Sequence, residues 1–237
     1  MWAVIPVKNI SQAKQRLSPS LKEEERKHLF SAMLEDVLSV VVKIHFFEKI
    51  ILATNCQNAI SIAKIYGVSV FTTGPDRCLI QAAIESANFL EGKGIKGMFL
   101  IPADIPLVTD KEIYSVLETH PPSPSVSIIP SQDKSGSNCL VLTPPYIMPL
   151  RFGKESFVRH KEIAQKRGLK INSRELTGFG LDIDTPEDLS DLMINKGNTR
   201  SQKYLRQTRF WERVTRIKLG YGLPSSLVLQ FPLPSNF

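Results

Sequence analysis

Short apolar runs alternate with amphipathic segments over the first half of the chain, and this alternation constrains the fold more than any other feature. Four of the runs have the length of buried strands: residues 2–7, 49–54, 68–71 and 97–104. The segments between them repeat apolar residues at helical spacing, as between Leu29 and Val41. The pattern predicts an α/β fold that is Rossmann-like, with a mostly parallel central sheet and helices on both faces.

Local signals extend this prediction toward the C-terminus. Strands are expected at 125–130 and 138–143, and a helix at 155–167. Three helix starts are marked by residues that cap helices: "SLKE" from Ser20, "TDKE" from Thr109, and Thr185 followed by proline. Glu187 and Asp188 then fall in the first helical turn, where acidic side chains are favourable, so they need no chemical role.

The carboxyl ends of parallel strands are where such sheets bind ligands, so the loops after residues 7, 54, 104 and 184 are the candidate sites. "GKGIKG" at 92–97 matches the dinucleotide-binding glycine pattern, but it follows a helix and precedes a strand. The functional motif requires the opposite order, so this stretch predicts a helix-terminating turn. The sequence contains no G-x-x-x-x-G-K-[ST] phosphate loop.

The loop after the first strand is basic. It carries Lys8, Lys14 and Arg16 directly beyond "WAVIPV". Cations at this edge of a sheet are suited to a triphosphate, which is highly anionic. The alternative is that all three are solvated surface charges.

Three aspartates follow other predicted strands. Asp104 ends the apolar run "LIPAD", and Asp182 and Asp184 are two residues apart in "LDID". On a strand, such a pair would share one face and repel. A Mg²⁺ ion between these two and Asp104 would remove the repulsion, because carboxylates are preferred ligands of hard cations. The alternative for Asp104 is that it only organises a turn.

Two further stretches are rich in small residues, "DKSGSNCL" at 133–140 and "LRFGKESFVRH" at 150–160. Asn138, Gly153 and Ser156 lie in them, and exposed amides near small side chains can surround a small anion. His160 is interpreted as a residue of a helix face and not as a base.

Charge is unevenly distributed along the chain. The net charge is +7, and residues 200–237 hold seven basic residues against Glu212 alone, which accounts for six of these charges. The body is therefore almost neutral, and the basic composition does not predict nucleic-acid binding. We expect a nucleotide-binding domain at 1–197 and a basic extension at 198–237 that is dispensable for catalysis.

The remaining composition sets the expected environment. Three widely spaced cysteines form neither a metal-binding pair nor a disulfide framework, so reduced thiols are expected. The sequence shows no apolar run long enough to cross a bilayer and no signal-peptide pattern at its start. A cytoplasmic location is the expectation.

Together these stretches resemble one family, the 2-phospho-L-lactate guanylyltransferases of coenzyme F(420) biosynthesis. The resemblance covers about residues 2–192 and is found in "IPVKNISQAKQRLSP", "MLEDVL", "LIPADIPL", "SGSNCLVL", "RFGKESFVRH" and "GLDIDTPEDL", in that order. The last two blocks in tandem are the most specific. Glycine-leucine-asparagine, usual in the family near the guanine, is replaced here by Cys78, Leu79 and Ile80.

The resemblance implies a nucleotidyltransferase that transfers GMP from GTP to a small phospho-acid and releases diphosphate. The acid would be 2-phospho-L-lactate, phosphoenolpyruvate or 3-phosphoglycerate. By position, the resemblance assigns Mg²⁺ to Asp104, Asp182 and Asp184, the acceptor to Asn138, Gly153 and Ser156, and the catalytic nucleotide loop to Lys8, Lys14 and Arg16. A homodimer is possible under this resemblance, and nucleic acid is not an expected partner.

Two alternatives stay open at this point. One is a nucleotidyltransferase with a sugar phosphate or molybdopterin as acceptor, although its usual glycine-rich first loop is absent here. The other is a non-catalytic RNA-binding protein that acts through its tail, where four arginines recur at helical spacing: Arg206, Arg209, Arg213 and Arg216.

Overall fold

A computed structural model describes residues 1–10, 14–74 and 78–208. Its strands form one seven-stranded sheet in the order β3-β2-β1-β4-β6-β5-β7. The strands are β1 Trp2–Pro6, β2 Lys49–Ala53, β3 Ser69–Phe71, β4 Met98–Leu100, β5 Ser125–Pro130, β6 Ser137–Thr143 and β7 Lys170–Ser173. The helices are α1 Glu23–Val41, α2 Gln57–Ile65, α3 Leu79–Gly92, α4 Asp110–Glu118, α5 Ser156–Lys166, α6 Thr177–Gly180, α7 Pro186–Ile194 and α8 Arg200–Gln207, with a 3-10 turn at Gln15–Leu17. The predicted α/β fold is confirmed.

The sheet is parallel except at one strand. β1 pairs in parallel with β2 and β4, whereas β6 runs antiparallel to both β4 and β5. Leu100, the last residue of β4, pairs with Leu140 in the middle of β6, so the first residues of β6 extend beyond the end of β4. The beginning of β6 therefore lies at the same edge of the sheet as the carboxyl ends of β1, β4 and β5.

Helices bury both faces of this sheet. Successive residues of β1 alternate between the two cores, since Ala3 and Ile5 join one apolar cluster and Val4 joins the other. The first cluster includes Leu34 of α1 and Leu189 of α7. The second is covered by α3 and α5. Two-sided burial explains why β1, β2 and β4 are mostly apolar without polar alternation.

The predicted caps have mixed outcomes. Thr109 and Thr185 each accept a hydrogen bond from the third helical residue, as the sequence predicted. The prediction at Ser20 is wrong, because α1 begins at Glu23 with Lys22 as its N-cap. Residues before it form a turn in which the Ser20 and Leu21 amides both donate to the carbonyl of Leu17.

The glycine-rich stretch at 92–97 is a turn after α3, with Gly94 at a positive φ of 70° that glycine adopts readily. The short elements β7 and α6 were not predicted. In the described part of the chain, no helix is both long and apolar enough to cross a membrane.

The last described helix packs on the body. Asp36 of α1 accepts hydrogen bonds from the Arg200 and Ser201 amides at 2.7 and 2.9 Å and from the Ser201 hydroxyl at 2.6 Å. Leu205 of α8 is completely buried. The predicted boundary at 197/198 remains a prediction, and the arginines predicted at 209, 213 and 216 lie outside the described residues.

Candidate active site

The site edge brings together segments that are far apart in sequence. Asp104 lies beyond β4, Asp182 and Asp184 precede α7, and Lys14 lies in the connection from β1 to α1. The Ile183 amide donates to the Asp104 carbonyl at 3.0 Å, which joins two of these segments. Three of the four predicted loops thus meet at one place.

Lys14 is the central cation. Its Nζ lies 2.5 Å from Asp104 Oδ2 and 2.7 Å from Asp184 Oδ1, and only 4% of the side chain is exposed. Burial by itself would lower the pKa of Lys14, but the two carboxylates outweigh it and raise the pKa. The residue is therefore a charged ammonium inside the protein, with a backbone φ of 56° in the left-handed region.

Asp184 is the more exposed of the two partners. Its side chain is 44% exposed, and the Arg16 guanidinium lies 3.9 Å from its Oδ2. Burial would raise the pKa of this carboxyl, but Lys14 and Arg16 lower it. Arg16 itself is 76% exposed, so it can reach a ligand outside the cluster.

Asp182 has a different environment. Burial, with the Asp104 carboxylate next in importance, raises its pKa to about 6. The side-chain amide of Asn138 donates to Asp182 Oδ1 at 2.9 Å, and this hydrogen bond opposes the rise. Asp182 is therefore the carboxylate of the cluster most in need of a cation.

The pair at 182 and 184 does not lie on a strand, which corrects the geometry expected from the sequence. The segment is irregular, and Ile183 between them is completely buried. Asp188 Oδ2 accepts hydrogen bonds from the Asp184 and Thr185 amides at 2.9 and 2.6 Å, and these bonds fix the turn into α7. Asp188 thus has the structural explanation that the sequence predicted.

The segment preceding Asp182 is positioned by a close contact at Gly178. Its amide donates to Glu112 Oε1 at 2.7 Å. A Cβ at this position would lie 2.2 Å from Glu112 Oε2 and 2.5 Å from the Leu107 carbonyl oxygen, so only glycine fits. This contact holds α6 against the start of α4 and sets the path of the chain into the site.

The donors fit a hard divalent cation, because three carboxylates lie within electrostatic range of one another. Their arrangement does not form a finished metal site. Among residues 1–10, 14–74 and 78–208, no three acidic, histidine or cysteine side chains are grouped closely enough to hold a metal ion. The cation shared by Asp104 and Asp184 is the Lys14 ammonium.

The predicted acceptor residues lie beside this cluster. Ser156 is the first residue of α5 and is almost fully buried; its Oγ accepts the Ser137 amide at 2.9 Å. Gly153, three residues before it, has a positive φ of 105° and accepts the Ser156 amide. The start of α5 thus presents a helix N-terminus with small residues, an arrangement that favours anions.

Asn138 has a different use from the predicted one. Its amide nitrogen donates to the Phe179 carbonyl at 2.8 Å as well as to Asp182. That nitrogen is therefore occupied within the protein, and contact between Asn138 and an acceptor remains a prediction. Lys8 is exposed on its loop.

His160 lies on a helix, as predicted, and its structural role is larger than the sequence indicated. It is completely buried, the Arg151 amide donates to its Nε2 at 2.9 Å, and its Nδ1 lies 2.9 Å from Ser137 Oγ. Since Nε2 accepts, the neutral ring carries its hydrogen on Nδ1. Burial lowers the pKa of His160 to about 4, so it stays neutral and ties the 151–156 loop to β6. Only its position opposite Ser137 could have revealed this.

A pocket of about 480 Å³ opens elsewhere, between the end of β5, α6 and α7. None of the predicted site residues lines it. The carboxylate cluster instead lies on the rim of the sheet, where a large anionic substrate can approach from solvent.

A sheet of this order, with carboxylates and cations at one edge, defines a nucleotidyltransferase fold. A solved structure described as a nucleotide-diphospho-sugar transferase from Desulfovibrio desulfuricans G20 superposes with a TM-score of 0.72 at 15% identity. The match covers 91% of this chain and 96% of that one. At this identity the likeness concerns the fold alone.

The family follows from the sequence. The family model described as "Guanylyl transferase CofC like" matches residues 1–218, and the chain belongs to this family. The matched range includes every predicted site residue and extends past α8.

Curated relatives differ in the acid that their names give. The 2-phospho-L-lactate guanylyltransferase of Methanothermobacter thermautotrophicus is 31% identical over 90% of this chain and 93% of its own. The 3-phospho-D-glycerate guanylyltransferase of Colwellia psychrerythraea is 33% identical over 81% and 90%. The phosphoenolpyruvate guanylyltransferase of Roseiflexus castenholzii is 30% identical over 87% and 94%.

Proposed function

We propose that this protein transfers GMP from GTP to a small phospho-acid, with release of diphosphate, as a step of coenzyme F(420) biosynthesis. The observation that carries the proposal is the buried Lys14 ammonium between Asp104 and Asp184, next to Arg16 and the start of α5. Family membership supports the reaction type. A cytoplasmic location belongs to the same proposal, since GTP is a cytoplasmic substrate.

The nucleophile needs no protein base. The acceptor phosphate is already ionised at neutral pH, and one of its oxygens attacks the α-phosphorus of GTP. This agrees with the state of His160, whose two ring nitrogens are both used inside the protein. Catalysis then consists of positioning and charge neutralisation.

Lys8, Lys14 and Arg16 would bind the triphosphate. All three belong to the loop and turn after β1, and Arg16 already reaches toward the carboxylate cluster from an exposed position. Their positive charges would stabilise the departing diphosphate, because charge moves onto it as the bond to the α-phosphorus breaks.

Asp104, Asp182 and Asp184 would hold Mg²⁺. When bound, the ion supplies charge neutralisation at the transferring phosphoryl group. Asn138 would fix Asp182 through the hydrogen bond that it already donates. The support is the chemistry of the donor set, three carboxylates on rigid segments.

Gly153 and Ser156 would hold the phospho-acid. The first turn of α5 offers backbone N–H groups that lack helical partners, together with the Ser156 hydroxyl, which can still donate. An acceptor bound there would lie beside Asp182, because Asn138, which donates to Asp182, is next to Ser137 on β6.

The experiment is diphosphate release from GTP and Mg²⁺ with 2-phospho-L-lactate, phosphoenolpyruvate and 3-phosphoglycerate in turn. ATP is the nucleotide control, and D182N/D184N is the site control. We expect release that depends on one acid and on GTP and that is lost in the double variant. Release with a sugar phosphate only, or with none of these compounds, would contradict the proposal.

A further inference from the structure

The Lys14 ammonium occupies the position that a divalent cation shared by Asp104 and Asp184 would take. We propose that Lys14 is the resident counter-ion of Asp104 and Asp184, and that a metal ion gains access only when nucleotide phosphates draw this side chain away. The inference rests on the proposed function and deepens it, because it makes metal binding conditional on nucleotide binding.

The distances show why the two cations exclude each other. Lys14 Nζ bonds Asp104 Oδ2 at 2.5 Å and Asp184 Oδ1 at 2.7 Å. Mg²⁺ binds carboxylate oxygens at about 2.0–2.1 Å and requires octahedral geometry. An ion on these two oxygens would meet the ammonium at van der Waals overlap, so one must leave. This also explains why the described residues present no ready metal cluster.

Electrostatics explain why the carboxylates need Lys14. Two carboxylates that approach one buried ammonium to 2.5 and 2.7 Å would repel each other without it, and only 4% of the Lys14 side chain is exposed. Removing a cation from a buried pair leaves an uncompensated charge, which is strongly unfavourable. The ammonium therefore leaves only in exchange for another cation and when another anion receives it.

The nucleotide supplies that anion. Lys14 has a compact charge on a flexible four-carbon stem, so its Nζ can move without large backbone motion. Arg16, two residues on, is 76% exposed and can bind phosphate first. Since coupling between two ligands is reciprocal, the metal ion would in turn strengthen nucleotide binding.

The test measures Mn²⁺ binding by the full-length protein without nucleotide, from the electron paramagnetic resonance signal of free Mn²⁺. Lys14→Met and Lys14→Gln remove the charge, and Lys14→Arg keeps it. Lys166→Met removes the same charge from the exposed end of α5 and is the matched control. We expect at least about tenfold tighter Mn²⁺ binding in the Met and Gln variants only, since tenfold corresponds to about 1.4 kcal/mol.

Equal affinity for Mn²⁺ in wild type, Lys14→Met and Lys14→Gln would overturn the inference. Tighter binding in Lys14→Arg as well would also overturn it, because that variant retains the counter-ion. Adding D182N/D184N to Lys14→Met should abolish the gain; a gain that persists would place the ion elsewhere and refute the exchange.

The proposed function can fail separately. If wild type releases diphosphate from GTP with a phospho-acid while Lys14 variants bind Mn²⁺ no better, the exchange is wrong and the function stands. If wild type shows no acceptor-dependent release while Lys14→Met gains Mn²⁺ affinity, the exchange of cations stands and the proposed reaction is wrong.

Discussion

Burial disfavours the negative charge of Asp36 and also that of Asp182 in the Asp104–Asp182–Asp184 cluster, and different groups compensate it in the two places. Asp36 is buried against α8 and accepts two backbone N–H groups and one hydroxyl. The cluster is compensated by side chains alone: the Lys14 ammonium, the Asn138 amide and, at 3.9 Å, the Arg16 guanidinium. Backbone donors cannot leave without unfolding the helix, whereas the Lys14 ammonium can be exchanged.

The pKa values do not separate these two regions. Burial raises the pKa of Asp36, against the hydrogen bonds from Ser201 and Arg200, and burial also raises that of Asp182. What separates them is whether the compensating group is fixed. A carboxylate with fixed donors stabilises the fold, and one with a replaceable cation is available for chemistry.

The largest effect is expected for D184N. Removing this carboxylate takes away the second anchor of Lys14 and one proposed metal ligand, so kcat/KM for diphosphate release should fall at least about 100-fold. Stability should change little, because the side chain is 44% exposed. The measurements are turnover with GTP and the best phospho-acid, and thermal unfolding. A D184N enzyme with wild-type kcat/KM would contradict the assignment.

Truncation should give the next largest effect. A protein that ends at residue 208 keeps α8. A protein that ends at residue 197 leaves Asp36 without its hydrogen-bond donors and exposes the surface that Leu205 buries. Loss of a buried leucine side chain alone costs about 2–5 kcal/mol, so the shorter protein should unfold at markedly lower urea concentration.

The control for the 1–197 protein is the 1–208 protein, which should retain both stability and turnover. The expectation that residues 198–237 are dispensable then applies only beyond α8. Equal stability of the 1–197 and 1–208 proteins would show that α8 adds nothing to the body.

Asp36→Ala sharpens the comparison by removing only the fixed carboxylate. Two amides and a hydroxyl of α8 lose their acceptor, which should lower the free energy of unfolding by about 1–3 kcal/mol. The folded protein should retain its kcat/KM, because Asp36 contacts no proposed site residue. Urea unfolding and steady-state turnover measure the two effects, and an Asp36→Ala protein as stable as wild type would be inconsistent with this account.

The smallest effect is a pH dependence of stability in the metal-free protein. The pKa of Asp182 is raised from 3.8 to about 6, so the folded state binds the proton more tightly than the unfolded state. Its contribution to stability is therefore largest below pH 4 and declines as pH rises to 6. Asp182→Asn should be more stable than wild type above pH 6, with no difference below pH 4.

The check is the difference in melting temperature between the two proteins across pH 3.5–8, so that titration of other groups cancels. Addition of Mn²⁺ together with GTP should stabilise wild type more than Asp182→Asn. A difference that is constant with pH would contradict the raised pKa.

The sequence predicted the strand-helix alternation well because β1, β2 and β4 are mostly buried apolar runs and the helices repeat apolar residues at helical spacing. The approach of Lys14 and Asp104 followed from the rule that parallel strands end at one edge. Asp182 and Asp184 join them from an irregular segment, which the Ile183 amide ties to the Asp104 carbonyl. The structure places these four side chains together, while their proposed ligands remain predictions.

Other features could not be derived from local sequence. The direction of β6 depends on which neighbour it pairs with, and nothing in "NCLVLT" encodes that. β7 and α6 have only four residues each, too few for a periodic signal. The Ser20 cap failed because that residue belongs to the preceding turn, where its amide donates to the Leu17 carbonyl. The Lys14 position depends on a long-range contact across 90 residues.

The reversed direction of β6 has a consequence for how this enzyme can diversify. In the proposed site, the nucleotide residues follow the end of a strand, whereas Asn138 lies at the beginning of β6, which runs in the opposite direction. Insertions or exchanges between residues 131 and 137 can reshape one half while β1 and β4 keep the other in register. Such a scaffold would allow the acceptor specificity to change, by natural variation or by engineering, while the nucleotide-binding residues stay in place.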